Sequence, residues 1–318
     1  MKKRIGIIAI ILAVCLFIAA VVCFFIYKSE MDKYEQDEKA VQAIADEITD
    51  DENLKIEVMS AIFKLLADEY YKDANSNWTG SKVHRLIKDL TQSEDPYYLK
   101  KKQSNKLAKS FMGEVNNILK EDDSLETVVK IAIVGNIIDF GAYPSDTDFK
   151  RLIKSNLNKN LKINQTNLLE KAFKKHSHVL YLVDNAGEIV FDKILLEKIK
   201  SYGLDITIAV KEAPIVNDAC MTDALEAGLD EYGEIVSTGE DTVGVVYEEF
   251  SQDFKKIFDE SKFIISKGLG NFEGLTELDL SDKDVFYLAC AKCPVSARLI
   301  GIDLDEMFLF KDNGSFLN

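Results

Sequence analysis

From residue 178 onward, apolar runs that suit buried strands alternate with segments whose apolar residues recur at helical spacing. His178–Val183, Asp205–Val210 and Lys262–Ser266 have the pattern of strands, whereas Ile189–Ile199 has the pattern of a helix. The predicted elements follow one another at 178–183, 189–201, 205–210, 217–227, 233–236, 245–259, 262–266, 283–291 and 306–310. This alternation predicts an α/β fold with a mostly parallel sheet flanked by helices, a Rossmann-like three-layer sandwich.

Two segments before residue 178 have helical patterning. Residues 41 to about 120 predict a helical subdomain, and Ser124–Ile138 predicts a core helix because its apolar residues recur at helical spacing. The predicted organisation is an apolar segment at 1–27, a helical stalk and subdomain at 28–123, and an α/β domain at 124–318.

Residues 5–27 form an uncharged apolar stretch behind Lys2, Lys3 and Arg4. At about 1.5 Å rise per residue, a helix of this length spans the roughly 30 Å hydrocarbon core of a bilayer. The stretch is longer than the apolar core of a cleavable signal peptide, which has about 7–15 residues. It therefore predicts one transmembrane helix, with the lipid bilayer as a partner. The positive-inside rule places the N-terminus in the cytoplasm and the remaining chain outside.

The composition is acidic, with 39 Lys and Arg against 54 Asp and Glu and a formal net charge of −15. Because neutralisation of phosphates by basic residues dominates nucleic-acid binding, this chain is not expected to bind nucleic acid. Beyond the apolar stretch, the cysteines are Cys220, Cys290 and Cys293. Since three thiols cannot all pair within one chain and an apolar run precedes Cys290, we interpret them as structural thiols.

Candidate chemistry begins directly after the first predicted strand, at Asp184 and Asn185, before a tight turn at Gly187. Ligands of open α/β sheets bind at the carboxyl ends of strands. Carboxylate and amide oxygens suit Mg²⁺ or Mn²⁺, and a helix N-terminus favours an anion such as phosphate. Taken alone, the pair is better explained as a helix cap that satisfies otherwise unpaired N–H groups.

Two further predicted strands end in polar loops, and these loops favour a ligand site over a simple helix cap. Asn217 and Asp218 follow the second strand, and Lys267 follows the third. The loop after Lys267 also contains Gly268, Gly270, Asn271 and Glu273. Its glycines let backbone approach a ligand closely. The core helix adds Asn136 and Asp139, for which capping or core packing is an equal explanation. Together these residues predict a metal and phosphate site.

The segments VDNAGEIVFD, APIVNDACMTDA, STGEDTVG, SKGLGNFEGL and AKCPVSARLIG resemble, in order and spacing, the damage-control phosphatase family, formerly a domain of unknown function. The resemblance extends from about residue 47 to about residue 310 and includes the Gly135–Gly141 segment. It implies a metal-dependent phosphatase that hydrolyses small phosphorylated metabolites, such as sugar phosphates or related phosphomonoesters. Because such substrates are intracellular, the resemblance favours a cytoplasmic enzyme domain, which conflicts with the positive-inside rule.

The predicted mechanism uses one divalent ion held by oxygen atoms of Asp184, Asn185 and Asp218, with waters and a substrate phosphate completing the coordination. This all-oxygen set favours Mn²⁺ or Mg²⁺, with Co²⁺ or Ni²⁺ as further candidates and no obligatory zinc. The ion neutralises phosphoryl charge and activates a water for in-line attack. Glu188 either binds the ion through water or simply complements the helix dipole.

Lys267 is predicted to clamp the phosphate together with backbone N–H groups, and Lys292 is the next basic candidate. Asn271 and Glu273 are predicted to position substrate hydroxyls or the attacking water. The predicted catalytic residues are Asp184, Lys267 and Glu273, and the predicted substrate-binding residues are Asn136, Asp139, Gly268, Gly270 and Asn271.

Two other classes stay open. One is a nucleotide- or S-adenosylmethionine-dependent transferase on the same α/β scaffold. The other is a membrane-tethered protein that binds a metal or nucleotide without catalysis. The first loop is Asp-Asn-Ala-Gly-Glu rather than Gly-x-Gly-x-x-Gly, which disfavours the transferase. The intact acidic pair and the Gly-Asn-x-Glu loop favour an active phosphatase.

Overall fold

The computed structural model describes residues 51–69, 75–136 and 149–312, apart from the side chains of residues 149, 150 and 152. The chain divides after Phe63 into two compact units, and the first contributes only residues 51–63 to the described part. The predicted boundaries at 27/28 and 123/124 stay predictions.

From His178 onward, strands and helices alternate as predicted, and five helices precede the first strand of the described chain. The helices are α1 (Glu52–Glu69), α2 (Ser76–Thr91), α3 (Tyr98–Glu121), α4 (Leu125–Gly135), α5 (Phe149–Leu157), α6 (Thr166–Lys175), α7 (Glu188–Ser201), α8 (Met221–Ala227), α9 (Gln252–Glu260), α10 (Leu269–Leu275) and α11 (Pro294–Ile300). The strands are β1 (Ile163–Asn164), β2 (His178–Leu182), β3 (Asp205–Val210), β4 (Glu234–Ser237), β5 (Phe263–Lys267), β6 (Asp284–Cys290) and β7 (Met307–Lys311). Short 3₁₀ helices lie at Leu229–Glu231 and Tyr247–Glu249.

The seven strands of the described chain form one sheet in the order β1-β7-β6-β5-β2-β3-β4. Only the β6–β7 pair of this sheet is antiparallel, and the other pairs are parallel. The predicted α/β fold with a mostly parallel sheet is therefore confirmed. From β2, the strands β3 and β4 are added in one direction across the sheet. Strand β5 then lies on the other side of β2, and β6 and β7 continue in the opposite direction, so the strand order reverses between β2 and β5. Such a reversal opens a crevice at the carboxyl ends of the two strands.

Both faces of the sheet are covered, which explains why its strands are mostly apolar. Tyr181 and Ile265 belong to the core on one face, whereas Leu180 and Ile264 belong to the core on the other. This alternation follows from the two-residue period of a strand. Helices α3, α4, α6 and α7 pack against the first face, and α9, α10 and α11 pack against the second.

In the segments after β3 and after β5, the predicted helix and loop boundaries differ from those in the structure. The predicted helix 217–227 starts only at Met221, because the preceding residues pair with neighbouring backbone, including a bridge between Lys211 and Cys220. The segment after β5, predicted as a loop, forms the short helix α10. Its glycines are poor helix formers, so the sequence carries little helical signal there. Strand β1 and helices α5, α6 and α11 were not predicted.

Helix α4 is the element that carries Asn136 to the carboxyl edge of the sheet. The Oγ of Ser124 accepts a hydrogen bond from Thr127 N at 3.3 Å and caps the start of α4. The helix ends at Gly135, and Asn136 N donates to Ile133 O at 3.0 Å. The predicted core helix is thus present, whereas Asp139 lies outside the described residues.

The predicted membrane localisation is corrected by the structure. Across 51–69, 75–136 and 149–312, no helix combines the length and apolar character that a bilayer crossing requires. The stretch 5–27, on which the prediction rested, lies outside the described residues. We therefore retain neither the membrane, with the enzyme domain on either side, nor the lipid bilayer as a partner.

The cysteines of the described chain have the environment of structural thiols. Cys220 and Cys290 are buried, and Cys293 is partly exposed. Burial raises the pKa of Cys290 to about 11 and that of Cys220 to about 12. These two thiols are therefore protonated and poorly nucleophilic at neutral pH.

Candidate active site at the carboxyl edge of the sheet

The loops after β2 and β3 are joined to each other by backbone hydrogen bonds. Asn185 and Asp218 form an antiparallel bridge. Ala219 N donates to Asp184 O at 2.9 Å, and Ala186 N donates to Asn217 O at 2.9 Å. The structure therefore brings together Asp184, Asn185 and Asp218, the predicted metal ligands.

The Asp218 loop contains an unusual backbone conformation at Val216, whose φ is 45°. Positive φ is costly for a β-branched residue and persists only where the surroundings hold it. Lys88 Nζ donates to Pro214 O at 3.0 Å, and Asp218 N donates to Ile215 O at 3.0 Å. Helix α2 and the loop's own turn thus fix the backbone that presents Asp218.

The Asp184 carboxylate is held from two sides. Its Oδ2 accepts from Asn136 Nδ2 and from Asn185 Nδ2, each at 2.7 Å. It also packs against Gly268, where φ is 79° and where any Cβ would overlap the carboxylate. Glycine at 268 is therefore required both by its backbone conformation and by the close approach of Asp184. This contact lies at the crevice between β2 and β5.

The residues present fit a divalent ion. Asn185 is only 5% exposed, and its Nδ2 donates to Asp184 Oδ2, which leaves Oδ1 as the atom available for a cation. Asp184 and Asp218 add carboxylate oxygens, and hard oxygen donors of this kind suit Mg²⁺ or Mn²⁺. Within the described residues, no group of three or more His, Cys, Asp or Glu side chains could hold a metal. The candidate set instead consists of two carboxylates and one amide, which disfavours zinc.

The structure gives Lys267 a role different from the predicted phosphate clamp. Lys267 is 0% exposed, and its Nζ lies 2.5 Å from Glu188 Oε1, 2.6 Å from Asp192 Oδ1 and 3.1 Å from Ala132 O. Burial lowers the pKa of Lys267, but the charges of Asp192 and Glu188 raise it by more, so the ammonium stays charged. Since three protein acceptors use its three protons, none is left for a phosphate.

The loop after β5 also uses its polar groups internally. Gly268 N donates to Leu288 O at 3.1 Å rather than facing a ligand. Asn271 Nδ2 donates to Val183 O and to Lys267 O, each at 2.9 Å, and ties the ends of β2 and β5 together. Gly270 O accepts from Asn77 Nδ2 at 2.9 Å. These contacts give Gly268 and Asn271 structural roles, and their predicted substrate contacts stay predictions.

The remaining predicted residue of this loop, Glu273, is half-buried, and its Oε1 accepts from Ser296 Oγ at 2.5 Å. The hydrogen bond joins α10 to α11 next to the end of β6. One carboxylate oxygen of Glu273 is thereby fixed in place.

The start of α7 is covered by the protein itself. Gly187 N donates to Asn105 Oδ1 at 2.6 Å, and φ at Gly187 is 82°. A Cβ at Gly187 would collide with Ser104, so glycine allows α3 to approach this closely. The N–H group of Gly187 is thus capped by Asn105 and is not available to an anion.

Three residues near the site were not singled out as site residues from the sequence. Asn105 belongs to a distant helix and has no sequence signal. Asp192 lies four residues after Glu188 and shares its helix face, so helical periodicity could have found it. Tyr181 OH donates to Asp192 Oδ1 at 2.8 Å from within β2. Lys292, the second basic candidate, is half-buried, and its Nζ donates to Asn136 O at 2.5 Å.

Comparison with known proteins agrees with this fold. Residues 34–308 match the family model of the damage-control phosphatase ARMT1-like domain. The chain is 40% identical over 276 residues to an uncharacterized protein of Methanocaldococcus jannaschii, covering 84% of this chain and 90% of that protein. It is 36% identical over 258 residues to a damage-control phosphatase of Pyrococcus horikoshii, covering 81% and 88% of the two chains. A third relative, a damage-control phosphatase of Archaeoglobus fulgidus, is 31% identical over 265 residues, covering 82% and 91%.

The fold is also similar to a solved structure. The crystal structure of a DUF89 family protein from Pyrococcus horikoshii, at 2.04 Å resolution, superposes with a TM-score of 0.76 at 34% identity. The match covers 86% of this chain and 95% of that chain. The mostly parallel sheet, with polar residues at the carboxyl ends of its strands, makes the protein an α/β protein with a candidate ligand site at the edge of its sheet. The chain belongs to the damage-control phosphatase family, which confirms the resemblance found in its sequence, and this membership places it among phosphatases.

Proposed function

We propose that the protein is a divalent-metal-dependent phosphatase that hydrolyses small phosphorylated metabolites, sugar phosphates or related phosphomonoesters. The observation that carries the proposal is the joining of the Asp184 and Asp218 loops at the crevice between β2 and β5. Oxygen ligands and an open α/β crevice occur there together, where such folds bind ligands. The Gly187 turn, capped by Asn105, does not resemble a nucleotide-binding turn, which disfavours the transferase alternative.

Asp184, Asn185 and Asp218 are proposed to hold the ion, with Mn²⁺ or Mg²⁺ preferred over Co²⁺ or Ni²⁺. When bound, the ion supplies charge neutralisation at the phosphoryl oxygens and a water of lowered pKa. Asn136 and Asn185 orient the Asp184 carboxylate by donating to its Oδ2. Glu273, held by Ser296, is proposed to position a substrate hydroxyl or the attacking water.

Lys292 replaces Lys267 as the proposed phosphate contact. It follows the carboxyl end of β6, beside β5, and its Nζ lies 2.5 Å from Asn136 O. Asn136 Nδ2 in turn donates to Asp184 Oδ2, so Asn136 contacts both the Lys292 ammonium group and the proposed metal ligand Asp184. A compact cation at this place can balance a phosphoryl group that bridges toward the ion.

Replacing Lys292 by Met tests this contact. We expect kcat/KM to fall on the order of 10²–10³-fold, as for other preorganised contacts to the transition state, while affinity for Mn²⁺ stays nearly unchanged. Lys162→Met is the matched control, because Lys162 is an exposed lysine that pairs with the partly exposed Glu306. Steady-state kinetics of both variants make the comparison, and wild-type turnover in Lys292→Met would contradict the assignment.

The function itself is tested by phosphate release from p-nitrophenyl phosphate by the full chain. We expect hydrolysis with Mn²⁺ or Mg²⁺, loss of hydrolysis with EDTA, and recovery when the ion is added back without zinc. A panel of sugar phosphates under the same conditions then identifies the preferred substrates. Hydrolysis that EDTA leaves unchanged would rule out metal dependence, and the absence of hydrolysis of any of these esters would rule out the phosphatase.

A further inference from the structure

A network of fully buried polar groups lies behind the proposed metal site. Tyr181, Glu188, Asp192 and Lys267 are each 0% exposed. Lys267 Nζ bridges Glu188 Oε1 at 2.5 Å and Asp192 Oδ1 at 2.6 Å. Tyr181 OH donates to the same Asp192 Oδ1 at 2.8 Å. Burial raises the pKa of Tyr181, so its phenol keeps the proton that it donates.

This network reaches Asp184 through one amide group. Asn136 Nδ2 donates to Glu188 Oε2 at 2.7 Å and to Asp184 Oδ2 at 2.7 Å. Both amide protons are thus used by carboxylates, which fixes the rotation of the Asn136 amide. A continuous series of hydrogen bonds runs from Tyr181 in β2 through the buried carboxylates to Asp184.

The network costs stability. Asp192 Oδ2 is buried and has no hydrogen-bond partner. Burial also raises the pKa of Asp192 to about 6, which reflects the penalty of keeping its charge away from water. Apolar residues of similar volume commonly replace such buried ion networks without loss of stability. Stability alone therefore does not explain why four polar groups occupy this part of the core.

We propose that Tyr181 and Asp192 are positioning residues for the metal site. Tyr181 orients Asp192, and Asp192 binds the Lys267 ammonium group. Lys267 also binds Glu188 and so fixes its carboxylate. Glu188 accepts from the Asn136 amide, which donates to Asp184 Oδ2. Glu188 and Asp192 are four residues apart on one face of α7 and would repel each other without Lys267 between them. The inference rests on the proposed function, in which Asp184 is a ligand of the divalent ion and its orientation therefore affects metal binding.

The test compares two buried tyrosines of the same sheet. Tyr181→Phe removes the hydroxyl that binds Asp192, and Tyr287→Phe removes the hydroxyl that binds Asp312 at 3.4 Å. Tyr287 belongs to the core on the opposite face, so its loss does not reach the network. Calorimetric titration of the metal-free full chain with Mn²⁺ measures affinity without substrate. We expect about tenfold weaker binding in Tyr181→Phe, typical for groups that orient metal ligands, and unchanged binding in Tyr287→Phe.

Two further measurements separate positioning from general destabilisation. At temperatures well below unfolding, saturating Mn²⁺ is expected to restore kcat in Tyr181→Phe, because only the affinity for the ion has changed. Asp192→Asn, which keeps the shape of the side chain, is expected to weaken Mn²⁺ binding in the same direction. Wild-type affinity in Tyr181→Phe, or an equal loss in Tyr287→Phe, would overturn the positioning role. A wild-type chain that binds no Mn²⁺ would overturn the metal site itself.

Discussion

Asp184→Ala is expected to abolish metal-dependent phosphatase activity while the chain remains folded. The substitution removes one of two carboxylates from the proposed ligand set and leaves an amide and one carboxylate, too few hard donors for Mn²⁺ or Mg²⁺. The structural cost is modest, about 1 kcal/mol, because the two amides that donate to Asp184 Oδ2 both also lie within hydrogen-bonding reach of Glu188 Oε2. Calorimetric titration with Mn²⁺, kinetics and thermal unfolding together measure these effects.

Asp205→Ala is the matched control for this experiment. Asp205 is exposed and starts β3, at the edge of the sheet opposite the site. It is expected to keep wild-type metal affinity and turnover. Full activity in Asp184→Ala would rule out its assignment as a ligand, and unfolding of that variant would contradict the small structural cost.

Lys267→Met is expected to destabilise the protein by about 3–5 kcal/mol, the usual cost of leaving a buried charge without its partner. Glu188 and Asp192 would then face each other in the core with no cation between them. Burial already raises the pKa of Asp192 to about 6, and loss of the Lys267 charge, which lowers that pKa, raises it further above the value in the unfolded chain. Folding of the variant is therefore favoured when Asp192 binds a proton. The stability loss is therefore expected to be larger at pH 8 than at pH 5. Urea unfolding at both pH values measures it.

Lys262→Met provides the comparison for Lys267→Met, since Lys262 lies just before the same strand. Lys262 pairs with Asp282 on the surface, and both side chains are 57% exposed. Its replacement is expected to change stability by no more than about 0.5 kcal/mol at either pH. A Lys267→Met protein as stable as wild type would contradict the ion network, and the phosphate clamp would regain support.

Local patterns were sufficient to predict strands β2 to β7, the fold class and the polar strand ends. The order of the strands was not predictable, because β5 lies beside β2 only through pairing between residues more than 80 positions apart, such as Leu180 and Ile264. The dependence on contacts between residues distant in sequence also explains why the role of Lys267 was not predicted. Its place at the end of β5 was predicted, but the direction of its side chain depends on α4 and α7, which pack from elsewhere in the chain.

The glycines after β5 illustrate the same distinction. Their presence predicted a close approach, and Gly268 does permit one. The approaching group is the protein's own Asp184 carboxylate, which only the adjacency of β2 and β5 reveals. Asn105 at the Gly187 turn is a second case, since a residue 82 positions away supplies the cap.

The bridge between Asn185 and Asp218 has a consequence for the order of events in catalysis. Backbone hydrogen bonds hold both loops in one rigid piece, so capture of an ion does not have to fold any segment of chain. The entropy lost on capture is then confined to a few side chains and released waters rather than to ordered backbone. In the proposed metal-dependent phosphatase, such a centre would load its ion before substrate arrives, and the phosphoryl group would then meet a surface already charged to receive it.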